Sequence, residues 1–176
     1  MPVDIIQSAR NILGENKFLS LATYDKSGNV WATPLSYAID EEYNLYFTTA
    51  VDSTHVEHIK KNPYVSFSIF NSTLRVSDID GLQIKGLVGE VEKADLPRIV
   101  KMYYKQVFPD EAERKEWEAQ PEYFTSDEFP VYRFFQILPL EIYKRDTENT
   151  EVDRRVEINI NELKKIPAKH PTLNEE

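Results

Sequence analysis

The residue types best suited to chemistry crowd one junction of the sequence. Thr48, Thr49, Ser53 and Thr54 fall where the run LYFTTAVD passes into STHVEHIKKN. The first run has the β-branched and aromatic character of a strand, and the second has helical spacing. A helix start carries unpaired N–H groups and a partial positive charge, so together with nearby hydroxyls it can hold a phosphate. The same residues also serve as an ordinary strand end and helix cap, and Thr54 with Glu57 has capping-box spacing. Asp52 and Glu57 bring carboxylates that repel an anion. His55 and His58 stand at i and i+3, so a helix puts them on one face. A metal would need a third ligand that the sequence does not supply, and the plain expectation is two solvent-facing histidines. Gln83 and Lys85 point to the same side of a strand. They form a solvated face or, on a barrel rim, a place where a lysine meets a phosphate. Asp78-Ile79-Asp80-Gly81 lacks the repeated acidic positions and distal glutamate of a calcium loop. Neither a GxSxG elbow, a P-loop nor a GxGxxG turn is present.

The elements that must position these residues follow from periodicity. Residues 30–39 (VWATPLSYAI) read as one strand, with Trp31, Thr33, Leu35, Tyr37 and Ile39 to one side and small residues, among them Pro34 and Ser36, to the other. Asp40 to Asn44 is a turn, LYFTT a strand, and YVSFSIF after Pro63 alternates cleanly. Before this stretch, residues 4–15 form an amphipathic helix, and a strand at 18–23 pairs through a DKSGN turn with the strand at 30. After it, 71–80 is a loop and 81–92 a strand whose alternation slips at Leu87-Val88, with Gly86 as a bulge or a close backbone approach. Residues 95–108 form a helix with Pro97 in its first turn, and Asp110 with Glu113 caps an acidic helix ending before Pro121. Residues 123–130 are a loop. Residues 131–145 are the longest strand, with Pro139 as a bend. Val156, Ile158 and Ile160 suggest a last strand within 151–160, and the charged, proline-containing end from Asn161 frays. Six or seven strands joined largely by tight turns predict an antiparallel closed or partly closed barrel with peripheral helices.

Composition narrows the function. The 176 residues make one domain long enough for a full core. Lysine and arginine total 21 against 30 acidic residues, a net charge of −9. That balance repels nucleic acid and anionic membranes, so neither is expected as a main partner. It also assigns the aromatic run Tyr132 to Phe135 to core or dimer interface rather than to base stacking. Cysteine is absent, which removes disulfides, thiolate zinc sites and iron–sulfur clusters. No stretch reaches the about 20 apolar residues of a membrane span, and the start lacks a signal-peptide pattern. The expectation is a cytoplasmic protein acting on a small molecule.

The central stretch resembles the pyridoxamine 5′-phosphate oxidase-like family of FMN-binding split barrels. The matching features are P-L-S-Y (Pro34 to Tyr37), the acidic turn, the aromatic-Thr-Thr strand end (Phe47 to Thr49), the Ser/Thr helix start, K-K-N-P-Y-V-S (Lys60 to Ser66) and the glutamine-bearing strand from Leu82 to Val91. The likeness covers roughly residues 16–91, and more loosely the strand at 131–146. It implies a mainly β, six-stranded Greek-key split β-barrel over residues 1–148, followed by a C-terminal extension at 149–176. It implies a homodimer with FMN in the clefts between subunits, and an FMN-dependent oxidoreductase. A flavin, haem or other cofactor carrier on the same fold, or a barrel that has lost its site, are the alternatives. By resemblance Thr33, Pro34, Leu35 and Ser36 lie along the flavin ring. Thr48, Thr49, Ser53, Thr54 and His55 surround the ribityl phosphate, and Gln83 sits at the ring edge. Position 55, a histidine here, is a lysine in many members, and the strand at 31–39 carries none of the cations that often flank the phosphate. The pyridoxal-specific arginine motif is not evident, Arg133 and Arg145 being loose counterparts.

Overall fold

The computed structural model describes residues 4–128, 130–146 and 154–168. Asp4 opens α1 (Ile5–Glu15) by accepting the N–H groups of Ile6 and Gln7 at 3.0 and 3.2 Å. Then come β1 (Phe18–Tyr24), β2 (Val30–Ser36), β3 (Ala38–Ile39), β4 (Leu45–Ala50), α2 (Thr54–Lys61), β5 (Tyr64–Phe70) and β6 (Gly81–Glu90). The chain continues through α3 (Leu96–Val107), α4 (Glu111–Trp117), β7 (Tyr132–Arg145), β8 (Arg155–Glu157) and α5 (Ile160–Leu163). The strands form one antiparallel sheet in the order β2-β1-β5-β6-β7-β4-β3, with β8 added beside β7. Its two edges, β2 and β3, are consecutive in sequence, so the sheet curls until a single interrupted strand spans the gap. The sheet has eight strands where the resemblance implied six, but the class is the split barrel it implied. Among the described residues no helix is long and apolar enough to cross a membrane.

The interruption corrects the single strand expected over 30–39. Alternation holds in β2, where Thr33 and Leu35 turn toward the barrel interior while Pro34 faces outward beside Ser20. At Tyr37 it fails: Tyr37, Ala38 and Ile39 are all buried. The Tyr37 hydroxyl donates to Leu13 O at 2.8 Å inside the barrel, and Ala38 packs outside under α3. Burial on both faces removes the pressure for alternation.

Two cores result. The barrel interior holds Leu19, Leu21, Leu45, Phe47, Ile69, Ile84 and Ile137, closed at one end by Val56 and Ile59 of α2 and at the other by Ala9 and Leu13 of α1. Outside the sheet, α3 covers Ala38, Tyr46 and Phe134 with Leu96, Ile99, Val100 and Tyr103. Gln106 of α3 fixes this layer by pairing with both backbone groups of Ile39 at 2.8 Å.

Several local expectations change. The β6 alternation does not slip, since Leu82, Ile84, Gly86 and Val88 all turn inward. The extra residue is on β7: Lys85 opposes Glu141 and Gly86 opposes Pro139, so Leu140 is bulged out. Gly86 is a close approach, for a Cβ there would meet Ile137 Cγ2 at 2.6 Å. The α4 cap holds, Asp110 accepting from Glu113 N at 2.9 Å. The stretch expected as a loop from 123 begins inside a 3-10 turn, Pro121–Thr125, because Phe124 is buried against Phe134. The last strand is only Arg155–Glu157, after which Ile158 enters the core; residues 151–153 lie outside the described residues. Up to Ala168 the C-terminal stretch does not fray. Leu163 is fully buried, and Arg10 donates to the carbonyls of Glu162 and Leu163. Residues 169–176 lie outside the described residues.

Candidate functional site

The strand-to-helix junction forms as the sequence predicts, but its histidines do not face solvent. His55 and His58 are 5% and 7% exposed. Both turn under the β1–β2 hairpin, because α2 closes the barrel end with its i, i+3 face. His58 Nδ1 lies 3.2 Å from Thr23 Oγ1. His55 gathers three hydroxyls: Nε2 lies 2.9 Å from Thr49 Oγ1 and 3.2 Å from Ser53 Oγ, and Nδ1 lies 3.5 Å from Thr33 Oγ1. Ser53 uses its own proton on Ala50 O at 2.8 Å. Its contact with His55 therefore requires the proton on Nε2, which leaves Nδ1 to accept from Thr33. Burial, and secondarily the neighbouring His58, hold the His55 imidazole below its ordinary 6.5, toward the neutral form. Among the described residues no group of histidine and carboxylate side chains is placed to hold a metal ion.

The capping box is also corrected. Ser53, not Thr54, is the N-cap of α2, and its side chain makes no cap bond because it is turned to Ala50 O and His55. The helix start thus keeps N–H groups that this side chain does not satisfy. Thr54, the first helical residue, is exposed. Thr48 donates to Arg133 O at 3.2 Å. Arg133 stands opposite Thr49 in the β4–β7 register, but its guanidinium is committed to Asp127 at 2.6 Å and Glu90 at 3.4 Å.

Gln83 and Lys85 lie elsewhere. They face outward from β6, in rows set by register: Pro34, Ser20, Ser68, Gln83, Tyr143 in one, and Ala32, Ala22, Ser66, Lys85, Glu141 in the next. Small side chains floor a depression of about 440 Å³ whose wall is Gln83, Lys85 and Tyr143. Glu141 holds that wall, 2.8 Å from Lys85 Nζ and accepting the Tyr143 hydroxyl at 2.9 Å. The bond to Lys85 lowers the Glu141 carboxyl below its ordinary range. Glu141 and Tyr143 were missed in the sequence, although their i, i+2 spacing on a strand was the available signal. Ser36 is turned to α3, its hydroxyl 2.7 Å from Tyr103, whose own hydroxyl burial pushes up to about 12. Leu35 packs against the barrel core.

The inventory could hold a phosphate through hydroxyls and a helix start without a side-chain cap bond, and not through fixed charge. The fold defines an antiparallel split barrel with the junction at one end. Residues 5–145 match the pyridoxamine 5′-phosphate oxidase family model, and the chain belongs to that family. No functionally curated protein matches it. Among solved structures it resembles a haem-binding protein from Mycobacterium smegmatis at 12% identity and TM-score 0.69, covering 94% of this chain and 62% of that one. It also resembles a putative pyridoxamine 5′-phosphate oxidase from Listeria innocua at 18% identity and TM-score 0.58, covering 80% and 98%. A third likeness is to a pyridoxamine 5′-phosphate oxidase-related, FMN-binding protein from Nostoc punctiforme at 12% identity and TM-score 0.53, covering 88% and 93%.

Proposed function

We propose that two copies of this chain form a homodimer that binds FMN in the cleft between them and acts as an FMN-dependent oxidoreductase on a small molecule. The observation that carries this reading is the separation of the two candidate groups. Thr33, Thr49, Ser53 and His55 converge at the α2 end of the barrel. Gln83 and Lys85 stand on the outer face, three strand spacings or about 14 Å from β2. A second copy laid on the outer face would join its own junction to this wall. Phe18, Tyr24, Val30, Tyr64 and Phe70 rim that face and are 46–72% exposed, a surface suited to a two-fold contact.

In this reading Thr48, Thr49, Ser53, Thr54 and the α2 N–H groups bind the phosphate. The β2 residues Thr33 to Ser36 run along the ring, and Gln83 and Lys85 of the other copy approach its edge. FMN supplies hydride and electron transfer when bound. The neutral His55 orients the Thr49 and Ser53 hydroxyls rather than neutralising the phosphate. Haem is disfavoured as the ligand because both described histidines are buried against threonines instead of standing open to an iron.

The test is the absorption spectrum of the purified protein, titration of apoprotein with FMN and riboflavin, reduction by a nicotinamide cofactor, and light scattering. A dimer that saturates with FMN and is reduced supports the reading. A haem spectrum replaces it with the carrier, and a monomer binding neither flavin replaces it with a barrel that has lost its site.

A further inference from the structure

Helix α4 buries none of its seven residues. A helix that short gains little from propensity in water and ordinarily rests an apolar face on something. Here three local devices hold it. They are the Asp110 cap, the Glu111–Lys115 pair at 2.6 Å, and Trp117, whose ring lies parallel to Phe108 at 6.3 Å. Phe108 stacks in turn on Tyr104 of α3 at 5.8 Å. Trp117 is thus supported from one side, yet it stays 59% exposed. Beyond the helix Tyr123 stacks on Tyr132 at 6.2 Å and is 43% exposed. Burial chiefly, and then Glu118 and Tyr123 close by, raise the pKa of the Tyr104 hydroxyl. Trp117 and Tyr123 therefore border one aromatic ledge, floored by Tyr104 and Phe108.

The ledge is acidic. Residues 110–122 hold six carboxylates against two basic side chains. Both basic side chains are engaged, Lys115 with Glu111 and Arg114 with Phe108 O at 3.3 Å. Glu113, Glu116, Glu118 and Glu122 are exposed and form no ion pair among the described residues. Glu113 stands four residues before Trp117, on the same helix face. Open rings beside such carboxylates complement a guanidinium, which stacks flat on an aromatic face and pairs bidentately with a carboxylate. Nucleic acid and anionic membrane are repelled here. A second copy is a poor occupant, because a two-fold contact would lay these carboxylates against themselves. None of the ledge residues belongs to the α2 junction, to the outer-face wall or to the exposed rim assigned to the dimer.

We propose that this ledge docks an extended, arginine-bearing segment of another protein. Its guanidiniums stack on Trp117 and Tyr123 and pair with Glu113, Glu116, Glu118 and Glu122. The site stands independently of the flavin reading.

The test is isothermal titration calorimetry of the full chain with a capped peptide of alternating arginine and glycine. A lysine counterpart, and a counterpart with citrulline, which keeps the shape of arginine without its charge, are the controls. Saturable binding of the arginine peptide is expected, about three- to fivefold weaker with lysine and absent with citrulline. Trp117→Ala should weaken it about tenfold, and Tyr123→Ala less. Trp31→Ala, at the other tryptophan, 49% exposed, should leave the affinity unchanged. Circular dichroism checks each variant. Should Trp117→Ala unfold, the exposed pair Glu116→Gln with Glu118→Gln carries the test, with a loss of about fivefold expected. The proposal is overturned by the absence of saturable binding, by equal affinity for the lysine or citrulline peptide, or by unchanged affinity in the folded ledge variants. A change of oligomeric state in Trp117→Ala, seen by light scattering, would also overturn it, marking the ledge as a contact between copies of this chain.

Discussion

The α2 junction and the outer face of β6 and β7 both gather polar side chains around a titratable group, yet they are built oppositely. At the junction His55 is 5% exposed and meets three hydroxyls. On the outer face Lys85, Glu141 and Tyr143 form a comparable network, with the Lys85 and Glu141 side chains 59% and 37% exposed. Removing a partner from a buried network leaves desolvated groups unpaired, whereas water replaces a lost partner at the surface. The first network therefore ties its chemistry to folding, and the second is free to serve a ligand at little cost to stability.

The sharpest test lies just beneath the junction. Phe47 is fully buried and stacks on Phe135 at 5.4 Å. Phe47→Ala should cost about 3–5 kcal/mol, measured by urea unfolding, and should loosen the α2 end with it. A loss below about 1 kcal/mol would show that the junction does not depend on the barrel core.

His55→Ala should cost about 1–3 kcal/mol, because Thr49 and Ser53 lose a buried partner. Thr33→Val, which removes only the long 3.5 Å contact, should cost less.

Acid should act on the junction first. Burial lowers the His55 pKa below 6.5, so the unfolded chain binds the proton more readily than the folded one. The stabilisation is present above pH 6.5 and is lost as pH falls below it. Melting temperature should therefore drop on acidification through that point, and His55→Gln should flatten the slope. An unchanged slope would mean that His55 is not held neutral.

Lys85→Ala should have the smallest effect on folding, leaving the melting temperature unmoved within error. It should nonetheless weaken FMN binding by the dimer. Destabilisation comparable to His55→Ala would erase the distinction between the two networks.

Much of this was legible in local chemistry. Asp4 and Asp110 announced helix starts, the DKSGN turn announced the first hairpin, and Gly86 announced a tight approach, each decided by a few neighbouring residues. The Thr-Thr strand end and hydroxyl-rich helix start located the junction. The histidines were misplaced because helical spacing says that His55 and His58 share a face, not which face the barrel covers. In sequence Gly86 signals either a bulge or a close approach; it is the approach, and the bulge falls at Leu140, whose lack of a partner is defined only by the strand opposite. Glu141 and Tyr143 gained meaning only from the register that sets them against Lys85 and Gln83.

Short-range preferences thus determined, from the sequence by itself, the elements, the antiparallel β class and the place where a helix start meets a cluster of hydroxyls. Tertiary structure alone decided that Tyr37 breaks a strand to close the barrel and that His55 is buried and disposed to be neutral. It also decided that Gln83 stands three strands from β2. The physical reason is that propensity, capping and alternation act within a few residues of chain. Burial and charge pairing arise between residues far apart in sequence, and become definite only when the sheet has curled and its register is fixed.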